Sequence, residues 1–264
     1  MAEGKTFGVM LFEGFELLDV FGPLEAFGML ANAGKCRVLT VAERAGAVTS
    51  AQGPRVIADF GFTESGFHDC PPIDILLVPG GIGTRHEVTN HTALEWLIAH
   101  AEKAEIVASV CTGAFVFAAT GLLNGKAATT HHTGYAELEM QYPDVRVKRG
   151  ARFVEDGNLA TAGGLTSGMD LALRVVGRYF GEEAIERTAF QLEYQGRGWA
   201  DAKSNSIFAV KPAGDICAVC WMQVNRATAP SEVYEGHTYY FCMDDHKVVF
   251  DAKRDKFIEA LSQS

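Results

Sequence analysis

Short apolar runs alternate with segments of helical spacing along the first 190 residues. Runs rich in β-branched residues or leucine predict strands over residues 6–12, 37–42, 73–79 and 106–110. Apolar residues recurring every three or four positions predict helices over residues 23–33, 93–103, 168–180 and 182–190. Because three of the four strand runs are almost continuously apolar, they suit strands covered on both faces. The pattern predicts an α/β, doubly wound sandwich with a mostly parallel sheet.

This alternation ends between residues 193 and 205, where the apolar period is lost and glycine and polar residues gather. Such a change of composition is typical of a connection between domains. The sequence therefore predicts a first domain over residues 1–195, a linker over 196–211 and a small α+β module over 212–264.

Charge and composition exclude several classes of partner. The 264 residues carry a net charge of −10, and residues 203–264, with 8 acidic and 7 basic side chains, contribute little of it. The acidic first domain argues against nucleic acid or an anionic membrane as a partner. The first residues lack an apolar core of signal length, and no run approaches a membrane span. We therefore expect a cytoplasmic protein whose 6 cysteines are reduced.

Cys111 follows the predicted strand 106–110 directly, and an apolar helical stretch begins just after it. Ser109 and Gly113 stand two residues to either side, and small residues there are typical of a nucleophile elbow. The N–H groups and dipole of the next helix favour a thiolate. The alternative is a buried cysteine that only packs. The small-residue context favours a reactive thiol.

A glycine-rich loop follows the third predicted strand and contains Gly80, Gly81 and Gly83. Ligand sites of open parallel sheets lie beyond the carboxyl ends of the strands, so this loop and the Cys111 elbow should meet there. The amides of Gly80, Gly81 and Thr112 can then form an oxyanion or substrate-positioning pocket.

Four ordered motifs carry a family resemblance: residues 15–25, which contain Leu-Leu-Asp-Val-Phe-Gly-Pro, then 79–81, 110–114 and 127–131. Over about residues 5–190 the chain resembles the DJ-1/PfpI superfamily, and within it the isonitrile hydratase branch and the effector domains of AraC-type regulators. The resemblance implies a flavodoxin-like, class I glutamine amidotransferase-like fold, usually a homodimer without a cofactor. It also implies that Cys111 is the nucleophile and Asp19 its acidic partner.

Asp19 and His131 are the remaining candidates near this thiol. Apolar neighbours at 17–18 and 20–21 predict that Asp19 is buried, and a buried carboxylic acid can keep its proton and act as a general acid. The alternative is a cap ahead of a helix that starts at Pro23. In relatives with a Cys-His pair a histidine near His131 activates the thiol, whereas the isonitrile hydratase branch relies on the carboxylate. The role of His131 stays open.

The tail carries metal-ligand spacing. Cys217 and Cys220 form a Cys-x2-Cys pair, and Cys242 and His246 form a Cys-x3-His pair after a gap of 21 residues. Two such pairs can close a tetrahedral site around zinc or another transition metal. The alternative is a small packing module whose cysteines are core residues.

Residues 212–260 resemble the YHS domain through Cys220-Trp221-Met222, residues 234–242 and the later aromatic positions. Three positions depart from the usual pattern: Trp221 replaces a glycine, Cys217 replaces an aspartate and His246 replaces a cysteine. The exchange of one thiolate for imidazole still permits metal binding.

The function predicted from these motifs is the hydration of a small isonitrile to an N-substituted formamide through a Cys111 thioimidate. A glyoxalase-like or amidase-like reaction would use the same thiol on another electrophile. A redox-responsive or metal-responsive sensor without turnover is the alternative from another class. The tail can also supply metal or a lid to the first domain.

Overall fold

The computed structural model describes residues 4–63 and 70–262. Its strands are β1 (Lys5–Met10), β2 (Cys36–Ala42), β3 (Gly46–Thr49), β4 (Arg55–Ala58), β5 (Phe60–Gly61), β6 (Ile75–Val78), β7 (Ile106–Val110), β8 (Ala127–Ala128), β9 (Arg146–Val147), β10 (Phe153–Asp156), β11 (Leu159–Ala162), β12 (Ser231–Tyr234) and β13 (His237–Tyr240). Its α-helices are α1 (Leu17–Asn32), α2 (Thr84–Glu87), α3 (His91–Ala101), α4 (Gly113–Ala119), α5 (Tyr135–Gln141), α6 (Ser167–Phe180), α7 (Glu182–Gln191), α8 (Asp244–Ala252) and α9 (Arg254–Ser262). No helix within those two ranges is long and apolar enough to cross a membrane.

Seven strands form the central sheet, in the order β10-β11-β7-β6-β1-β2-β5. All neighbours from β11 to β5 pair in parallel, and only the outer strand β10 runs antiparallel. Every residue of β6 and β7 is buried, as a strand in the middle of a helix-flanked sheet requires. The predicted doubly wound sandwich with a mostly parallel sheet is confirmed.

The first helix differs from its prediction in a way that matters for chemistry. It begins at Leu17, six residues before the predicted start, and includes Pro23 in its interior. Proline cannot donate to the carbonyl four residues earlier, which here belongs to Asp19. Burial of Val20 and Phe27 along the same helix compensates for that missing bond. Asp19 therefore lies inside the first turn of α1 and is not a cap ahead of the helix.

The chain after residue 211 folds into a small α+β segment with the β12–β13 hairpin followed by α8 and α9. It has its own buried cluster, formed by Cys217, Ala218, Val219, Cys220, Phe241, Phe250 and Phe257 together with Met140 of α5. The connection before it is fastened to the first domain, because Asn205 accepts a hydrogen bond from Arg152 at 3.0 Å and donates one to Ser167 at 3.2 Å. The tail is thus packed against the sandwich, mainly on α5.

Candidate active site and metal centre

Cys111 occupies a strained turn between β7 and α4. Its φ of 56° lies in the left-handed region, which costs a residue with a side chain about 1–3 kcal/mol. Three hydrogen bonds hold this conformation. The Cys111 N–H donates to the carbonyl oxygens of Gly163 at 2.9 Å and Ala162 at 3.2 Å, and the Thr130 hydroxyl donates to the Cys111 carbonyl at 2.8 Å. This is the geometry that the elbow motif predicts.

Asp19 is fully buried beside this turn. Its Oδ2 accepts a hydrogen bond from the Gly80 N–H at 2.9 Å, and the Cys111 thiol and the Leu165 backbone also interact with the carboxyl group. Burial raises the pKa of Asp19 to about 7, against the opposing effect of the Gly80 hydrogen bond. Near neutral pH the carboxyl group therefore exists in both forms and can donate or accept a proton.

Gly80 lies where the candidate groups converge. A Cβ at this position would lie 2.7 Å from the Cys111 Cβ, 2.7 Å from the Thr112 N and 2.8 Å from Asp19 Oδ2. Those distances are too short for real atoms, so only glycine fits without displacement of the thiol, the amide or the carboxyl group. The structure thus brings Cys111, Thr112 and Asp19 around one backbone position.

The surroundings of Cys111 favour the neutral thiol over the thiolate. Burial raises its pKa well above the ordinary range, and the charge of Asp19 raises it further. The amide and hydroxyl of Thr112 lower the pKa but do not compensate. These effects oppose the resting thiolate that the elbow motif predicts. The short helix α4 cannot offset a neighbouring carboxylate and the loss of solvent.

The amides of the glycine loop are already engaged by the protein. The Gly80 N–H donates a hydrogen bond to Asp19, and the Gly81 N–H donates one to Thr112 Oγ1 at 3.0 Å. The hydroxyl of Thr84 donates to the Gly81 carbonyl at 2.8 Å, and its oxygen lies 3.2 Å from Thr112 Oγ1. In this arrangement the glycine loop positions Asp19 and Thr112, and the Thr112 N–H faces the sulfur.

His131 lies at the edge of the site. A Cβ at Gly164 would come within 2.1 Å of its Cδ2, so its ring rests on the loop that follows β11. Its Nδ1 pairs with the Thr133 hydroxyl at 2.8 Å, and its ring centroid lies 4.3 Å from that of His132. Burial, reinforced by His132, lowers the pKa of His131 to about 4. At neutral pH the imidazole is uncharged, and its hydrogen bonds go to Thr133 and not to the thiol.

Thr84, Thr130 and Leu165 belong to the site but were not predicted. Thr84 and Thr130 fix the glycine loop and the elbow by the hydrogen bonds above, and Leu165 takes a φ of 50° near Asp19. Thr130 lies within the family motif at residues 127–131, so the sequence contained an indication of it. No local pattern identifies Thr84 or Leu165, because each reaches the site only through the tertiary fold.

Comparison with known proteins adds to this geometry. The model of the DJ-1/PfpI family matches residues 5–178. The chain belongs to the DJ-1/PfpI family. An isonitrile hydratase of Pseudomonas putida is 36% identical over 187 residues, which cover 71% of this chain and 77% of that protein. The HTH-type transcriptional regulator GbdR of Pseudomonas aeruginosa is 28% identical over 183 residues, covering 68% of this chain and 48% of the regulator.

Solved structures of this family share the fold. A THiJ/PfpI family protein from Pseudomonas syringae superposes with a TM-score of 0.66 at 26% identity, over 73% of this chain and 76% of that one. A DJ-1 superfamily protein from Salmonella typhimurium gives a TM-score of 0.63 at 25% identity, over 73% of this chain and all of that one. The DJ-1/PfpI part of the chain thus spans only about half the length of a regulator such as GbdR.

Outside the DJ-1/PfpI match, the tail brings its predicted ligands together. The ligand atoms of Cys217, Cys220, Cys242 and His246 all lie within 4.8 Å of one another. The Sγ atoms of Cys220 and Cys242 are 3.5 Å apart, and His246 Nδ1 lies 3.4 Å from Cys217 Sγ and 3.2 Å from Cys242 Sγ. The edges of a tetrahedral zinc–thiolate site are about 3.8 Å long. The four groups can therefore hold a metal ion.

The backbone around the first cysteine pair forms a tight turn. Trp221 takes a φ of 65°, its N–H donates to the Cys217 carbonyl at 3.0 Å, and the Cys217 N–H donates to the Met222 carbonyl at 2.7 Å. The Ala218 N–H donates to the Tyr240 carbonyl at 2.8 Å, which places the turn beside the end of β13. We call residues 217–222 the cysteine turn. A glycine would adopt this φ without strain, whereas Trp221 carries a side chain in the same conformation.

Burial opposes protonation of His246, but hydrogen bonds to Cys217 and Cys242 outweigh it and raise the pKa of His246 to about 10. Hydrogen bonds from Cys220 and Cys242 hold the pKa of Cys217 well below its usual range. The same hydrogen bonds raise the pKa of Cys220, so a negative charge is favoured on the Cys217 sulfur, with the His246 imidazole as its counterpart.

Proposed function

We propose that this DJ-1/PfpI protein hydrates an isonitrile, R–N≡C, to the N-substituted formamide. The observation that carries the proposal is the Asp19 carboxyl group, which is buried against Gly80 beside the Cys111 elbow and has its pKa raised to about 7. An isonitrile carbon must gain a proton and a nucleophile on the same atom. One carboxyl group next to one thiol suits that requirement, and the 36% identity to an isonitrile hydratase supports it.

In the first step Asp19 gives its proton to the terminal carbon of the isonitrile. The Cys111 sulfur then bonds to that carbon, and the Asp19 carboxylate takes the thiol proton. The product is a thioimidate, R–N=CH–S, on Cys111, and Asp19 is again protonated. Because the proton moves from thiol to carbon through the carboxyl group, a resting thiolate is not needed.

In the second step water replaces the sulfur. Asp19 protonates the thioimidate nitrogen, and its carboxylate accepts a proton from the water molecule whose oxygen bonds to the carbon. The C–S bond then breaks with transfer of the hydroxyl proton to sulfur, which frees R–NH–CHO and restores the thiol. The steps use only Cys111, Asp19 and water, with the Thr112 N–H positioned to stabilise charge at the reacting atoms.

The raised pKa of Cys111 bears on the alternative functions. A redox sensor depends on a thiolate that peroxide can oxidise, and the raised pKa of Cys111 opposes that role. A Cys-His mechanism needs a histidine on the thiol, and the hydrogen bonds of His131 go to Thr133.

The test is a substrate panel of an alkyl isonitrile, methylglyoxal and a simple amide. We expect formamide from the isonitrile alone, loss of at least 10³-fold in Cys111→Ala, and unchanged turnover in Cys36→Ser, whose thiol lies away from the site at the start of β2. Turnover of methylglyoxal or the amide but not the isonitrile would move the assignment to a glyoxalase or amidase. Silence toward all three would favour an effector domain like that of the related regulators.

For the tail we propose that Cys217, Cys220, Cys242 and His246 bind zinc. Zinc accepts thiolate and imidazole in tetrahedral geometry without redox chemistry, and the distances within the cluster support this set. Metal analysis of the purified chain should give about one zinc per chain. The Cys220→Ser variant should lose most of it, and Cys70→Ser, outside the cluster, should retain it.

A further inference from the structure

Helix α5 lies between the catalytic sandwich and the tail, and each of its faces has a different partner. Leu138 is buried in the core of the sandwich, whereas Met140 is buried in the cluster of the tail. The ammonium group of Lys253 in the tail donates a hydrogen bond to the Met140 carbonyl. The tail therefore covers a face of α5 that the sandwich leaves open.

The cysteine turn contacts the sandwich through the side chains of Trp221 and Arg149. The guanidinium carbon of Arg149 lies 4.7 Å from the centre of the Trp221 ring, and Arg149 also pairs with Glu139 of α5 at 2.7 and 3.1 Å. Arg149 further lies 5.8 Å from the ring of Tyr135, the first residue of α5. An arginine between an indole and a carboxylate is held on both sides.

Trp221 contacts Arg149 from an unusual backbone conformation. A φ of 65° is strained for tryptophan, and in this conformation the indole lies against Arg149 of the sandwich. Cys220 immediately precedes it, and Cys217 is bonded to its N–H. A metal ion that fixes both sulfurs would hold the turn closed around this strained residue.

From these contacts we infer that metal binding docks the tail onto α5: the ion fixes the cysteine turn, and the turn presents Trp221 to Arg149. The inference rests on the proposed zinc site. It assigns the surface of the sandwich on which the tail docks. It also explains why Trp221 occupies a position whose φ favours glycine.

The docked helix also adjoins the candidate active site. A Cβ at Gly134, just before α5, would lie 3.1 Å from Phe115 of α4 and 3.4 Å from the Thr130 methyl group. Glu137 of α5 is buried and binds Arg85, which follows the glycine loop. A firmly docked α5 therefore supports the residues behind the Cys111 elbow.

Hydrogen–deuterium exchange of the full chain tests the inference, with zinc content measured on the same samples. In the zinc-loaded protein we expect peptides covering residues 135–149 to be protected, and removal of zinc by a chelator to speed their exchange roughly tenfold or more. Trp221→Gly should keep about one zinc, since glycine suits the turn, yet lose most of this protection. Arg149→Gln should also keep zinc and lose protection.

Arg226→Gln is the matched control, because its guanidinium lies 5.5 Å from the Tyr240 ring within the tail and away from α5. It should leave exchange in residues 135–149 unchanged. Equal exchange with and without bound zinc, or full protection in Arg149→Gln, would overturn docking while the zinc site stands. A chain that binds no zinc would overturn both, and none of these results depends on isonitrile turnover.

Discussion

Asp19 Oδ2 and the Gly80 N–H, 2.9 Å apart, connect the first turn of α1 to the loop after β6 across 61 residues of sequence. This bond holds the carboxyl group beside the elbow, where the Cys111 thiol and the Leu165 backbone also interact with it. A buried carboxylate is costly, so burial favours the protonated carboxylic acid. The relationship between these two residues underlies the first three predictions.

Replacement of Asp19 by asparagine keeps an acceptor for Gly80 and removes the transferable proton. We expect Asp19→Asn to lower kcat for isonitrile hydration by 10²–10⁴-fold with little change in the fold. In the wild type, the rate should fall as pH rises through about 7, where the group loses its proton. Steady-state rates between pH 5 and 9 check both effects. Glu25→Gln, an exposed carboxyl on the same helix, should behave as wild type, and equal losses in the two variants would contradict the assignment.

The same carboxyl group should make stability depend on pH. Its folded pKa of about 7 lies above the ordinary value of 3.8, so the stabilising protonated state is complete below about pH 4 and is lost as pH rises through 7. Asp19→Asn lacks this loss and should become more stable than wild type at pH 8, by up to about 4 kcal/mol. Urea unfolding at pH 4, 6 and 8 measures the difference in unfolding free energy between the variant and the wild type. A difference that does not change with pH would contradict a buried, protonated Asp19.

A methyl group at Gly80 should disrupt the site more than the fold. Gly80→Ala places a Cβ within 2.8 Å of the thiol-bearing carbon, the Thr112 amide and Asp19, so the loop must shift by a few tenths of an ångström or more. We expect activity to fall at least 10²-fold. Gly28→Ala in α1, where the added methyl meets nothing within 4 Å, should keep activity and add about 0.5–1 kcal/mol of stability. Kinetics and thermal unfolding of the pair separate the two effects.

Two adjacent buried threonines provide another matched pair. The Thr130 hydroxyl donates to the carbonyl of strained Cys111, whereas the Thr129 hydroxyl has no partner in the described chain. Thr130→Val should destabilise the protein by about 1–3 kcal/mol and reduce turnover, since the elbow loses one of its restraints. Thr129→Val should be neutral or stabilising, because it removes an unsatisfied polar atom. The opposite order of unfolding free energies would mean that the elbow does not need this bond.

Sequence patterns predicted the centre of the sheet because burial on both faces leaves an unmistakable apolar run. The run 106–110 matches β7, and 37–42 differs from β2 by one residue. The β3–β4 hairpin was missed, since its short strands are partly exposed and lack that run. The start of α1 was missed because Pro23 was interpreted as a helix start, although the helix includes it.

Local motifs also placed the thiol and the acid and predicted a buried Asp19 that can keep its proton, but they did not predict the raised pKa of Cys111. The elbow motif reports only the neighbours of Cys111 along the chain, and these favour a thiolate. The pKa of Cys111 depends instead on burial and on Asp19, which arrives from another element. Thr84 reaches the site in the same way, through space, so no local pattern could identify it.

The two edges of the central sheet limit how copies of this chain can associate. At one edge β5 offers only two residues, Phe60 and Gly61. At the other, Glu155 and Asp156 of β10 carry charge and bind Arg174 and the Ala127 amide. Short and charged edges oppose the addition of a further strand. Self-assembly should therefore use helix faces, and extension of the sheet from one molecule into the next is disfavoured, which protects a β-rich core from fibrous aggregation.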